Sequence, residues 1–74
     1  MATQEINTIR VLERALIVID LLKAANRPIG VNELAKLCNY GPSTVFRIMK
    51  TLEKNHWVRQ LQDDKYILGE KLFF

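Results

Sequence analysis

The chain has little of what a catalytic or metal centre is made from. Its 74 residues include one cysteine, one histidine and three glycines. Cys38 alone cannot form an internal disulfide or a Cys-rich zinc site, and in an apolar-periodic stretch it reads as a small core residue of a reducing compartment. No cluster of ligands at metal spacing surrounds His56. There is no nucleophile with a base at hand and no glycine-rich loop to cradle a phosphate, and so short a chain has little room for a pocket. The chain is therefore not expected to be an enzyme, and no cofactor is expected. The longest apolar run, Ala15 to Ile19, is five residues, far short of the roughly 20 needed to span a bilayer. The N-terminus lacks the basic start and apolar core of a signal peptide, so the chain reads as intracellular and cytoplasmic, without a membrane partner.

What is present is the composition of one small folded domain. Apolar residues make up 49% and charged residues 26%, which argues against disorder and allows a single modest core. The net charge of +3 is unevenly spread. Residues 1–41 hold five Lys/Arg against four Asp/Glu, residues 42–60 hold four against one, and residues 61–74 hold two against three. The excess of positive charge thus lies in Pro42–Asn55 and just after it. There Val45, Ile48, Met49 and Leu52 recur at i, i+3, i+4 and i+7, the apolar stripe of a helix. Ser43, Arg47, Lys50 and Lys54 fall on the opposite side, with Thr44 and Thr51 on one flank and Phe46 on the other. Pro42 suits the first helical turn, and Gly41 the N-cap. Short hydroxyls and cations on one helix face are what contact with phosphates and base edges in a DNA groove requires, although solvation alone also places Lys and Arg on surface helices.

Residues 1–7 are polar and read as loose. Ile9–Ala25 predicts a long first helix with a core face of Leu12, Ala15, Leu16, Ile19 and Leu22, stopped by Asn26-Arg27-Pro28 because proline disfavours the α region for the residue before it. Ile17 and Leu21 then point outward and mark a dimer seam, unless the chain's own tail covers them. Val31–Cys38 predicts a second, short helix with Val31, Leu34, Ala35 and Cys38 on one face. Asn39-Tyr40-Gly41 connects it to the third, which is the helix-turn-helix arrangement. After Asn55 the period shortens. Trp57–Leu61 alternates, Gln62-Asp63-Asp64 supplies a turn, and Lys65–Leu68 is β-prone, so a hairpin follows. It would form the wing of a winged helix-turn-helix, with Arg59 and Lys65 near its tip, in reach of phosphate or a minor groove. Gly69 ends the hairpin. Leu72-Phe73-Phe74 is an apolar tip that a following segment would bury. The expected class is mainly α with a small β-hairpin, three helices plus a wing. Residues 8–68 form its core, and residues 69–74 begin a linker.

These segments together resemble the DNA-binding domain of the IclR (isocitrate-lyase-regulator) family of bacterial transcription factors. The resemblance is carried by Leu12-Glu13-Arg14-Ala15-Leu16 with Asp20-Leu21-Leu22, by Arg27-Pro28-Ile29-Gly30-Val31-Asn32-Glu33-Leu34-Ala35, and by Ser43-Thr44-Val45 with Arg47. Thr51-Leu52-Glu53, Trp57-Val58 and Tyr66-Ile67-Leu68-Gly69 complete it. No single piece is specific; their joint order and spacing is. The resemblance implies that the third helix enters the major groove with Ser43, Thr44 and Arg47 at the groove, and Lys50 and Thr51 beside them. Asn32, at the start of the second helix, would approach a phosphate. Lys50, Lys54, Arg59 and Lys65 would neutralise phosphates. The resemblance further implies a homodimer on a palindromic double-stranded operator, and a C-terminal domain outside this chain that binds a small-molecule effector.

Some positions depart from the family pattern. Pro42 stands where Lys or Arg usually precedes the Ser-Thr pair, which removes one phosphate contact. Phe46 replaces a His or Tyr and could touch a thymine methyl instead of donating a hydrogen bond. Asn39, His56 and Asp64 occupy three positions where the family favours glycine, and they are the non-glycine types that best tolerate positive φ. A winged helix used for protein association is the competing reading; it assigns binding to Ile17, Leu21 and the apolar tail.

Overall fold

The computed structural model describes residues 8–72; the polar start at 1–7 and the Phe73-Phe74 tip lie outside the described residues. Three helices, α1 (Arg10–Ala25), α2 (Val31–Cys38) and α3 (Pro42–Lys54), precede an antiparallel hairpin of β1 (Val58–Gln60) and β2 (Tyr66–Leu68), followed by a short 3-10 turn at Glu70–Leu72. The expected mainly-α class with three helices and a wing is thus observed. The strands pair Val58 with Leu68, Arg59 with Ile67 and Gln60 with Tyr66.

The helix ends are set by residues that accept a left-handed backbone. Asn26 (φ 54°) closes α1 by donating its amide N–H to Leu22 O at 3.2 Å, and Asn39 (φ 60°) closes α2 by donating its amide N–H to Ala35 O. The end of α3 is a Schellman motif. His56 is its left-handed residue (φ 68°) and donates to Glu53 O at 3.0 Å, while Trp57 donates to Leu52 O at 2.9 Å. This turn throws the chain from α3 into β1. Asp64 (φ 65°) does the same work in the hairpin turn. Asn39, His56 and Asp64 therefore carry the positive φ expected of them, and Asn26 is a fourth such residue. Gly69 has a different reason to be glycine. A Cβ there would sit 2.5 Å from His56 O and 2.9 Å from the carbonyl carbon of Trp57, because its amide donates to Trp57 O at 2.7 Å.

The core lies where the three helices meet the hairpin. Leu34 and Ala35 of α2, Val45 and Met49 of α3, and Val58 and Tyr66 of the hairpin are all buried in it. Ile29 joins them from the α1–α2 connection and also pairs with Tyr66. Its amide donates to Tyr66 O at 3.1 Å and its carbonyl accepts from Tyr66 N at 2.8 Å. β2 is thus bonded on both edges. The α1–α2 connection is further tied by Arg27, whose guanidinium pairs with the Glu33 carboxylate, and the Arg14 guanidinium lies 4.7 Å over the Tyr40 ring.

In α1 the buried face differs from the expected one. Val18 and Leu22 are buried, with Leu21 and Ala25 packed against the core. Leu12 and Leu16, placed in the core by periodicity, are 55% and 53% exposed. Both stripes satisfy the i, i+3, i+4, i+7 rule and differ by one position, about 100° around the axis. Because α1 is apolar on most of its circumference, the spacing cannot select between them; the location of α2 and β2 does. Leu21 accordingly turns toward the core and not outward, whereas Ile17 is exposed.

Two outcomes test this packing. Leu22→Ala should lower unfolding stability by about 2–5 kcal/mol, and Leu16→Ala at a dilute concentration by less than about 0.5 kcal/mol, as read by thermal and urea denaturation. The hydrogen bond from Arg27 holds the Glu33 carboxyl below its usual range. A depressed carboxylate contributes stability that is present above the unfolded-state pKa and lost as pH falls through the folded one. In Arg27→Gln the Glu33 carboxyl should titrate higher than in the parent chain, measured by NMR of the side-chain carbon.

Candidate nucleic-acid interface

α3 begins at Gly41, an extended residue with no side-chain cap, and carries Pro42 in its first turn. The first-turn amides are therefore uncapped by any side chain and lie beside the Ser43 hydroxyl, an arrangement receptive to an anion. Burying Val45, Ile48 and Met49 leaves about half the helix circumference outward at ~100° per residue. Ser43, Phe46, Arg47, Lys50, Thr51 and Lys54 are exposed on that arc, and Thr44 is half-buried at its edge.

Seven of the ten candidate residues divide between two grooves. On one side, Asn32 at the start of α2, Phe46 and Lys50 of α3, and Lys65 after the hairpin turn line a polar groove. Lys65 lies close to Gly30 and its charge helps hold Glu33 ionised. On the other side, Thr44, Arg47 and Thr51 edge an apolar groove formed by Ile9 at the N-cap of α1 and Leu12 and Ala15 within it, with Ile48 and Leu52 of α3. Lys54 lies in the last turn of α3.

The side chains differ in what they have free. Among the described residues, Arg47 has no hydrogen-bond or ion-pair partner, and the same holds for the side chains of Asn32, Ser43, Lys54 and Arg59. The Thr51 hydroxyl donates to Arg47 O at 2.8 Å, which leaves its oxygen as an acceptor. Lys50 is committed. Its ammonium donates to Glu53 Oε1 at 3.2 Å and to Gln60 Oε1 at 2.9 Å, and lies 5.6 Å from the centre of the Phe46 ring. The Glu53 hydrogen bond raises the Lys50 pKa above its usual value.

Arg59 is not at the hairpin tip. It pairs with Ile67 in the middle of the ladder, and alternation turns it to the face opposite Val58 and Gln60, where it lines a separate groove with Glu53, His56 and Glu70. Gln60 and Tyr66 were not among the candidate site residues read from the sequence. Gln60 reaches Lys50, and Tyr66 is fully buried with its hydroxyl unpartnered. The signal for Gln60 was its position two residues from Val58, which puts it on the α3 side of the strand.

Among the described residues no helix is long and apolar enough to cross a membrane. A comparison with curated proteins gives no match. Solved structures are similar. An IclR transcriptional regulator from Alicyclobacillus acidocaldarius superposes with a TM-score of 0.83 at 25% identity, covering 90% of this chain and 28% of that one. The Thermotoga maritima IclR gives 0.80 at 26% identity, with 88% and 26% covered. An IclR family regulator from Brucella abortus shares the fold at 0.83 and 23% identity, with 97% and 28% covered. The chain thus spans little more than a quarter of the length of these proteins. The IclR helix-turn-helix domain matches residues 11–62. With that match over most of the chain, and with three helices and a wing in the corresponding places, the chain belongs to the IclR helix-turn-helix family, the DNA-binding domains of transcriptional regulators.

Proposed function

We propose that this domain reads a palindromic double-stranded operator as part of a homodimeric regulator of a metabolic operon, with α3 in the major groove. The observation that carries the reading is the outward arc of α3, where an unpartnered Arg47 stands between an uncapped, hydroxyl-bearing N-terminus and Lys54. Arg47 contacts a base edge, guanine being the base that best matches its fork. Ser43 and Thr44 bond phosphate or base edges at the helix start, Phe46 touches a thymine methyl, and Thr51 offers its hydroxyl oxygen. Asn32, Lys54 and Lys65 contact the backbone, and Arg59 meets a flanking phosphate from the outer face of the wing. Lys50 is left out of the phosphate contacts because its ammonium already has Glu53 and Gln60. A small-molecule effector would act through a further domain, as the greater length of the related regulators suggests.

The dimer seam moves with the corrected face of α1. Leu21 packs on the domain's own core, while Ile9, Leu12 and Leu16 form an exposed apolar strip with Ile17 at its margin. Such a strip favours association between copies. It would equally serve the reading of the domain as a protein-interaction module, and charge reversal at Arg47 separates the two.

Fluorescence anisotropy with selected duplexes tests the DNA reading. Arg47→Ala should cost about 1–3 kcal/mol of discrimination at one operator position, and Arg47→Glu should abolish retention. With Lys54, Arg59 and Lys65 as the phosphate-neutralising cations, log K should fall with log salt at a slope near −2.7 per subunit, roughly −0.9 for each contact. Retention unaffected by Arg47→Glu, or a flat salt response, would remove the reading. Sedimentation on DNA should show two copies for the parent chain and one for Leu12→Glu/Leu16→Glu; an unchanged stoichiometry would exclude the strip as the seam.

A further inference from the structure

We propose that Lys50 is a positioning residue that sets the wing against α3, and not a contact with the nucleic acid; its functional consequence rests on the DNA-binding reading above. The hairpin has only three residues in each strand, and two-stranded pieces of that size are marginal by themselves. Beyond the burial of Val58 and Tyr66 in the core, its orientation depends on what holds its two edges. The outer edge of β2 is bonded to Ile29 through two backbone hydrogen bonds. The edge of β1 has no strand beside it, and among the described residues the side-chain tie from α3 to β1 is Lys50 to Gln60.

That tie is one link of a relay. Glu53 Oε1 accepts from Lys50 at 3.2 Å, Gln60 Oε1 accepts from Lys50 at 2.9 Å, and Gln60 Nε2 donates to Asp64 Oδ1 at 3.4 Å. The relay therefore runs from the last turns of α3, along β1, to the left-handed residue of the hairpin turn (φ 65°). The ammonium also lies near two rings, 5.6 Å from the centre of Phe46 and 6.0 Å from that of Tyr66. A lysine meant for phosphate gains by keeping its donors free until the ligand arrives; this ammonium, though exposed, has two of its three donors taken by Glu53 and Gln60. Arg47 lies three residues before Lys50 on the same arc, and Lys65 directly follows Asp64. Fixing the relay thus fixes the offset between the base-reading arginine and the wing-tip cation. Holding that offset before binding removes an ordering cost from association.

The test uses the chain as it stands, isotopically labelled, with Lys50→Met and the charge-neutral Gln60→Leu. In the DNA-free protein, amide residual dipolar couplings of Leu61–Leu68 should change relative to those of α3 in both variants, while the couplings within α3 keep their pattern. Lys50→Arg, which can still span Glu53 and Gln60, should restore the parent values in large part. On a selected duplex each of the first two should weaken binding about threefold to tenfold, the double variant no more than either alone, with the same salt slope in both single variants. Unchanged wing couplings in Lys50→Met, or a slope that falls in magnitude by about 0.9 in Lys50→Met but not in Gln60→Leu, would overturn the proposal and return Lys50 to the phosphate contacts. If the parent binds no duplex, the DNA reading fails by itself, and the couplings alone decide whether Lys50 positions the wing.

Discussion

The pair of backbone hydrogen bonds between Ile29 and Tyr66 is the constraint on which the domain depends. It joins the connection between α1 and α2 to the far end of the chain, and it does so at two residues whose side chains are both fully buried. Backbone groups placed that deep must be paired, so the core can close only when the wing is docked. The wing is consequently part of the fold and not an appendage. α3 is held between α2 and β1, and its outward arc is whatever that clamp leaves uncovered. The Schellman turn at His56 and the close approach of Gly69 to it complete the circuit by bringing the end of the hairpin back to the end of α3.

Within the candidate interface, charge and availability are separate properties. Four cations stand on or just after α3, and from composition they look equivalent. Among the described residues Arg47 has no internal partner, Lys54 stands unpartnered in the last turn of the helix, Arg59 faces the other side of the wing, and Lys50 is bonded to Glu53 and Gln60. Only Glu53 lies close enough along the helix, at i+3, for its pairing with Lys50 to be anticipated. The link to Gln60 crosses from helix to strand and depends on how the hairpin leans.

Much of the architecture was legible in the residues. α2 and α3 each carry one unambiguous apolar stripe, and the stripe residues Leu34, Ala35, Val45, Ile48 and Met49 are the ones that are buried. The turn residues were legible too, since few non-glycine types accept a positive φ and Asn39, His56 and Asp64 are among them. The hairpin followed from alternation around an Asp-rich turn, although its ladder is shorter than the alternating run suggested. Expectation failed in α1, where nearly every position that could face the core is apolar. There the spacing supported two faces one residue apart, and Leu12 and Leu16 were placed inside while Val18 was overlooked.

By itself the sequence determined the local properties: where helices start and stop, which face of α2 and α3 is apolar, where the backbone can turn left-handed, and where positive charge collects. These are decided by neighbours a few residues apart, whose interactions are much the same in any fold. Tertiary structure decided the rest. It chose the face of α1, sent Leu21 inward, left Leu12 and Leu16 outside, turned Arg59 away from Gln60 and joined Lys50 to the wing. Each of these depends on the direction in which a distant element arrives. That direction is set by closing one core around Ile29 and Tyr66, and not by any pattern within the segment itself.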